Sequence, residues 1–227
     1  MTAHGTRGKR GKRGSQSQRK VFLFLFIFML VFSFYCSRKN TAPDGPNPVT
    51  TFRVVILYTN DEHGWMEATD THGGAAGMMG LWRQNEGYTE DGHFLILGGG
   101  DMWTGPAIST WFRGESMIDV LNAMGYGGAA IGNHEFDFQV TGLNERREQA
   151  DFPFLSANIR LRSTGEIPDF AVPYTVINVN GVRVGMIGLS AMNTPSTVFP
   201  DYVADLEFTD YETALRETVP RAREAGA

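Results

Sequence analysis

Three short apolar runs, each broken off by a polar or glycine-containing turn, constrain this chain more than any other feature. Residues 52–59, 93–97 and 128–131 are too short for helices and read as buried strands. Residues 74–86 and 115–124, which lie between them, have helical spacing, and Gly125 stands where a left-handed residue closes the second helix. Strand alternating with helix predicts an α/β layered architecture. Further along, residues 172–178 and 182–189 flank Asn180-Gly181, a pair that favours positive φ and predicts a type I′ hairpin. Parallel and antiparallel pairing should therefore both occur. Thr209 and Glu212 have capping-box spacing for a last helix, with Pro220 as its expected break.

Each early strand delivers polar side chains at its carboxyl end, where ligands gather in open α/β sheets. Asp61-Glu62-His63 follows the first. Continued extension there would turn Asp61 and His63 to one side and Glu62 to the other, so that carboxylate and imidazole could share one cation. The second strand runs into Gly98-Gly99-Gly100-Asp101, whose glycines allow close backbone approach to a ligand and leave Asp101 projecting. The third ends in Gly132-Asn133-His134-Glu135, followed by Phe136 and Asp137. His72 and His93 read as solvated loop residues, and Met78, Met79 and Leu81 as a buried helix face. Trp65 and Trp103 have two readings, walls of a site or packing residues.

Order and spacing carry more weight than any single motif. Asp61 and Asp101 are 40 residues apart, and Asn133 follows 32 residues later. D-x-H, G-D-x-x-x-G and G-N-H-E at these intervals resemble the calcineurin-like metallophosphoesterases. The fuller T-N-D-x-H-G and G-N-H-E-F-D resemble the branch containing 5′-nucleotidases, UDP-sugar hydrolases and 2′,3′-cyclic phosphodiesterases. Gly73-Gly74, Ser156-Ala157-Asn158 and the run 184–189 agree with that branch, and the resemblance covers about residues 53–200.

The resemblance implies an α/β/β/α sandwich with mixed sheets, incomplete at the carboxyl end, and two-metal hydrolysis of nucleotide phosphate esters. By motif position it implies Asp61 and His63 on a first metal, Asp101 bridging, Asn133 on a second, and His134 as a catalytic histidine held by Asp137. Oxygen and nitrogen ligands without sulfur suit Zn, Mn, Fe or Mg alike. The family carries further histidines downstream, whereas this chain has none after His134. The expectation is thus an incomplete form of a longer enzyme, with residues 52–227 as the amino-terminal portion of its domain. The alternatives are a non-catalytic, membrane-tethered remnant or, within the family, a sulfur-ester hydrolase or cyclic-nucleotide phosphodiesterase.

Charge separates the two ends of the chain. Residues 1–39 hold nine of the 20 Lys and Arg and no acid, which leaves eleven Arg against all 25 acids and a net charge of −14 beyond them. So acidic a domain is not expected to bind nucleic-acid polymers; it suits a collector of divalent cations or a protein that simply stays soluble. The basic segment runs into the apolar residues 21–36, which is the layout of an export signal. Sixteen residues fall short of the roughly 20 that span a bilayer. Cys36, the chain's one cysteine, closes the apolar run as the lipid-attachment residue of bacterial lipoproteins does, so lipoprotein signal and uncleaved anchor both remain open. Arg19-Lys20 also approaches a twin-arginine signal, though the hydrophobic run favours the general route. Either way the protein is expected outside the cytoplasm, periplasmic or at the cell surface, tethered to a membrane by its amino terminus. Residues 40–51, with three prolines, read as a linker.

Overall fold

The computed structural model describes residues Thr51–Ala227. The expected signal or anchor at 1–39, with Cys36, and all but the last residue of the expected linker lie outside the described residues. Strands β1 (Val55–Thr59), β2 (Phe94–Gly98), β3 (Tyr126–Ala130) and β4 (Phe154–Leu155) form a parallel sheet in that order. Antiparallel pairing comes from β5 (Ile159–Leu161) with β8 (Leu206–Phe208), and from the hairpin of β6 (Tyr174–Val179) and β7 (Val182–Ile187). Asn180 and Gly181 take φ of 51° and 84°, as the Asn-Gly pair predicts for its turn. Among the described residues, five α-helices accompany the strands: α1 (Gly74–Leu81), α2 (Ala107–Thr110), α3 (Glu115–Met124), α4 (Gln139–Gln149) and α5 (Tyr211–Glu224).

Alternation along β2 explains the layering. Ile96 points to one face and packs in a core with Met79, Met117, Ile118, Leu121 and Leu143 of the helices. Leu95 and Leu97 point to the other face, against Ile177, Val179, Val184 and Met186 of the hairpin. Each such side chain removed from water stabilises the fold by about 1.5–3 kcal/mol. Helix α5 lies against β6 and β7, with the Arg221 guanidinium 5.7 Å above the Tyr174 ring. The order is thus helices, sheet, hairpin, helix, as the α/β/β/α expectation had it. The hairpin leaves part of the β1 face uncovered. Ile56 and Tyr58, in register with Leu95 and Leu97, are 55% and 61% exposed.

Three local expectations change. The cap of α5 is Asp210, whose carboxylate accepts from Thr213 N at 2.9 Å, while the Thr209 hydroxyl donates to the carbonyl of Asn158. The helix also runs through Pro220, with Ala214, Thr218 and Ala222 buried on one face on both sides of it. Packing on that face offsets the lost hydrogen bond and the clash of the proline ring with the preceding turn, which together cost about 3 kcal/mol. On α1, Met79 is buried as expected, but Leu81 is 58% exposed. No helix among the described residues is long and apolar enough to cross a membrane.

The junction of sheet and hairpin is tight enough to test. Gly188 follows β7, its carbonyl accepts from Ala157 N at 2.8 Å, and a β-carbon there would stand 2.6 Å from Leu155 Cβ and run into the Leu155 carbonyl. Gly188→Ala is expected to cost about 1–3 kcal/mol by overpacking. Urea unfolding should show a lower midpoint with an unchanged slope; an unchanged midpoint would contradict the close approach.

Candidate metal centre

The ends of β1, β2 and β3 meet at one rim because their loops are bonded to one another. Asp61 N donates to Gly100 O at 3.2 Å, His63 N to Asp101 O at 3.0 Å and Gly64 N to Met102 O at 2.8 Å, so the first loop is laid along the second. The result brings one ligand atom each from Asp61, His63 and Asp101 within 4.8 Å of one another. Strand alternation does not produce this. Asp61, His63, Asp101 and Thr104 have φ of 57°, 45°, 56° and 77°, all left-handed, so the expectation of continued extension after β1 is corrected. Such conformations cost about 1–3 kcal/mol each and persist where surrounding bonds hold them. The side chains converge through a strained turn, and Glu62 still points away from them.

Hydrogen bonds then set which atoms face the rim. His63 Nδ1–H donates to Thr104 O at 3.1 Å, which leaves Nε2 free, 3.7 Å from Asp61 Oδ1. Asn60 Nδ2 donates to Asp61 Oδ2. Asp101 Oδ1 accepts from His134 N at 2.9 Å. Gly132 allows that contact, since a β-carbon there would come 2.7 Å from Asp101 N. Asn133 stands half-buried between Gly132 and His134, both bonded into the Asp101 loop or its partner. His134 Nδ1–H donates to Asp137 Oδ2 at 2.7 Å, and the His134 ring lies 4.5 Å from that of His63 at 72°. Burial alone would push the His134 imidazole down, but Asp137, Asp101 and Glu135 outweigh it and raise it above the usual histidine value. Asp61, His63, Asp101, His134 and Asp137 therefore lie together at one rim, with Asn133 beside them in the chain, and the oxygen, nitrogen and oxygen donors of Asp61, His63 and Asp101 could hold a divalent cation.

Other polar residues of the site carried no role in the sequence reading. Glu135 is fully buried, and desolvation pushes its carboxyl up to about 7 against the opposing pull of N–H bonds from Met102, Asp101 and Gly132. Behind β3, Ser190 Oγ donates to Ile131 O at 2.6 Å, and Asn158 bonds Ser190 through both its N–H and its carbonyl. Ser156-Ala157-Asn158 was the only sequence signal of that network. Burial raises Glu62, which sits beside Thr59 and Tyr126 at the foot of an open groove of about 1080 Å³. Trp65 lies on that groove, edge-on to an exposed His72, whereas Trp103 is wholly buried in the core against Phe154.

A parallel sheet backed by an antiparallel layer, with carboxylates and histidines gathered at the strand ends, defines a metallophosphoesterase of the calcineurin-like class. Solved structures agree. A calcineurin-like phosphoesterase, YfkN from Bacillus subtilis, aligns over 76% of this chain and 58% of its own with a TM-score of 0.60 at 24% identity, a likeness of fold. A 5′-nucleotidase precursor from Thermus thermophilus aligns over 78% of this chain and 36% of its own, with a TM-score of 0.65 at 26% identity. Among curated proteins, a 5′-nucleotidase of Vibrio parahaemolyticus is 32% identical over 176 residues, and the protein UshA of Salmonella pullorum 37% identical over 161. These matches take in 76% and 70% of this chain but 31% and 29% of the relatives, so the chain spans about 30% of their length. No family model matches. The chain belongs to the 5′-nucleotidase family of metallophosphoesterases.

Proposed function

We propose that this domain hydrolyses phosphate esters of nucleotides with two divalent cations. The observation that carries the reading is the convergence of Asp61, His63 and Asp101 within 4.8 Å, beside a His134 held by Asp137. Asp61 and His63 would hold one cation, Asp101 would be shared, and Asn133 would hold the other through its side-chain oxygen. Cations bound there would lower the pKa of a trapped water and neutralise phosphoryl charge.

The chain's own residues do the rest. Asp137 keeps the proton on His134 Nδ1, so Nε2 is the atom that faces a substrate. The Asp137 carboxylate shifts the imidazole toward its protonated form, and in that form it can donate Nε2–H to a phosphoryl or leaving oxygen as the P–O bond breaks. A positioned donor of this kind is worth about 10²–10⁴ in rate. The Thr104 carbonyl fixes His63 in the tautomer whose Nε2 can accept a cation.

The native protein is the material for the test, because the chain spans about 30% of its relatives' length. Phosphate release from AMP, a UDP-sugar and a 2′,3′-cyclic nucleotide should depend on added Mn or Zn and vanish with a chelator. Undiminished hydrolysis in the chelator would end the proposal. Preference for a thiosulfate ester over all three would instead favour a sulfur-ester hydrolase. We also place the protein outside the cytoplasm, carried there by residues 1–39. Recovery of the native protein wholly in the cytosolic fraction, with that segment intact, would exclude this placement.

A further inference from the structure

We propose that Glu135 is the positioning residue that holds the three strand-end loops of the site in register. Its carboxylate is fully buried and gathers backbone N–H groups from two loops: Asp101 at 2.9 Å and Gly132 at 2.6 Å on Oε2, and Met102 at 2.9 Å on Oε1. The carbonyls of the same Asp101 and Met102 accept from His63 N and Gly64 N at 3.0 and 2.8 Å. One side chain thus ties the β3 loop to the β2 loop directly, and the β1 loop to both through two peptide groups. Asp101 Oδ1 returns a bond to the backbone of His134, beside Glu135 itself. Four left-handed residues, Asp61, His63, Asp101 and Thr104, lie in the segments so held, and strained segments keep their shape only where such bonds over-determine it.

The need is for a carboxylate, not merely a polar group of this size. Three N–H groups converge on two oxygens, and an amide offers one oxygen only. In Glu135→Gln, whichever way the amide turns, its NH₂ faces at least one buried N–H. Truncation would lose all three bonds, and aspartate is too short to reach both loops. The role concerns position: Glu135 contacts backbone donors, and the ligand side chains act through the loops it fixes.

The inference rests in part on the proposed metal centre, and two readouts separate the two. With Mn²⁺ as probe, Glu135→Gln should bind about 10–100-fold more weakly than the unmodified chain, the usual cost of losing a residue that orients ligands. Ile118→Val, a core change remote from the loops, should leave that affinity unchanged. Equal affinity in Glu135→Gln would overturn the clamp. The second readout needs neither metal nor variant. In the unmodified chain, the amides of Asp101, Met102 and Gly132 should exchange with solvent hydrogen together with those of His63 and Gly64, sharing one dependence on denaturant. Opening of the His63 and Gly64 amides independently of the other three would overturn the clamp even if the chain binds Mn²⁺. Common opening in a chain that binds no Mn²⁺ would uphold the clamp and remove the metal centre.

Discussion

Asp101→Asn is expected to weaken binding of Mn²⁺ or Zn²⁺ by at least about 100-fold, beyond the range seen when only an outer partner of a ligand is lost. The substitution is nearly isosteric and keeps an oxygen for the His134 N–H, which Asp101 Oδ1 accepts at 2.9 Å. What it removes is charge, at the position where the loops of β1 and β2 bring three ligand atoms within 4.8 Å. A neutral amide in place of the proposed bridging carboxylate leaves either cation with one charged ligand fewer. Thermal unfolding reads this out. At a metal concentration of 100 times the unmodified chain's Kd, bound metal stabilises that chain by about 2.7 kcal/mol, whereas a 100-fold weaker variant gains about 0.4 kcal/mol. For a domain of this size the first is a rise of about 5–11 °C and the second about 1 °C. Without metal, the variant should be no less stable than its parent, since Asp61 and Asp101 then repel one another less. An equal metal-induced rise in both proteins would show that Asp101 is not a ligand.

How much of this was legible in the sequence depended on the distance over which each feature is decided. The strands before Asp61, Asp101 and Asn133 were visible because an apolar run and the turn that ends it are local. The hairpin at Asn180-Gly181 was visible for the same reason. Convergence of the three motifs could be inferred from topology, since parallel strands deliver their carboxyl ends to one rim. The means of convergence could not. Extension past Thr59 was the natural reading of D-x-H, but the bonds from Asp61, His63 and Gly64 to the β2 loop force a left-handed path instead. Those partners lie some 40 residues away, beyond the reach of local propensity. The role of Glu135 is hidden for the same reason: two of its three partners are backbone amides of another loop.

Adjacent residues with similar propensities posed a different difficulty. Thr209 and Asp210 are both good helix caps, and Thr209 is instead tied to the carbonyl of Asn158 through both its N–H and its hydroxyl, a partner 51 residues away. Trp65 and Trp103 each follow a ligand motif by two residues, but one is exposed on a groove and the other sealed in the core. Burial of that kind is a property of the whole packing, and spacing along the chain does not carry it.

The second large effect concerns turnover in the native protein. His134→Ala should leave metal binding close to that of the parent, because the imidazole is paired with Asp137 and no proposed ligand atom is lost, while kcat falls by about two to four orders of magnitude. Asp137→Asn is the finer probe. The carboxylate at 2.7 Å from Nδ1 is the first of the groups that raise the His134 pKa, so neutralising it should move that pKa down. If His134 works as the charged proton donor, activity persists on the acid side of its pKa and is lost as pH rises through it. The alkaline limb of the kcat profile should therefore shift to lower pH in Asp137→Asn, with a smaller loss than in His134→Ala at the acid end. A shift of that limb to higher pH, or a His134→Ala enzyme that has lost its metals along with its activity, would show that His134 serves the cations and not the leaving oxygen.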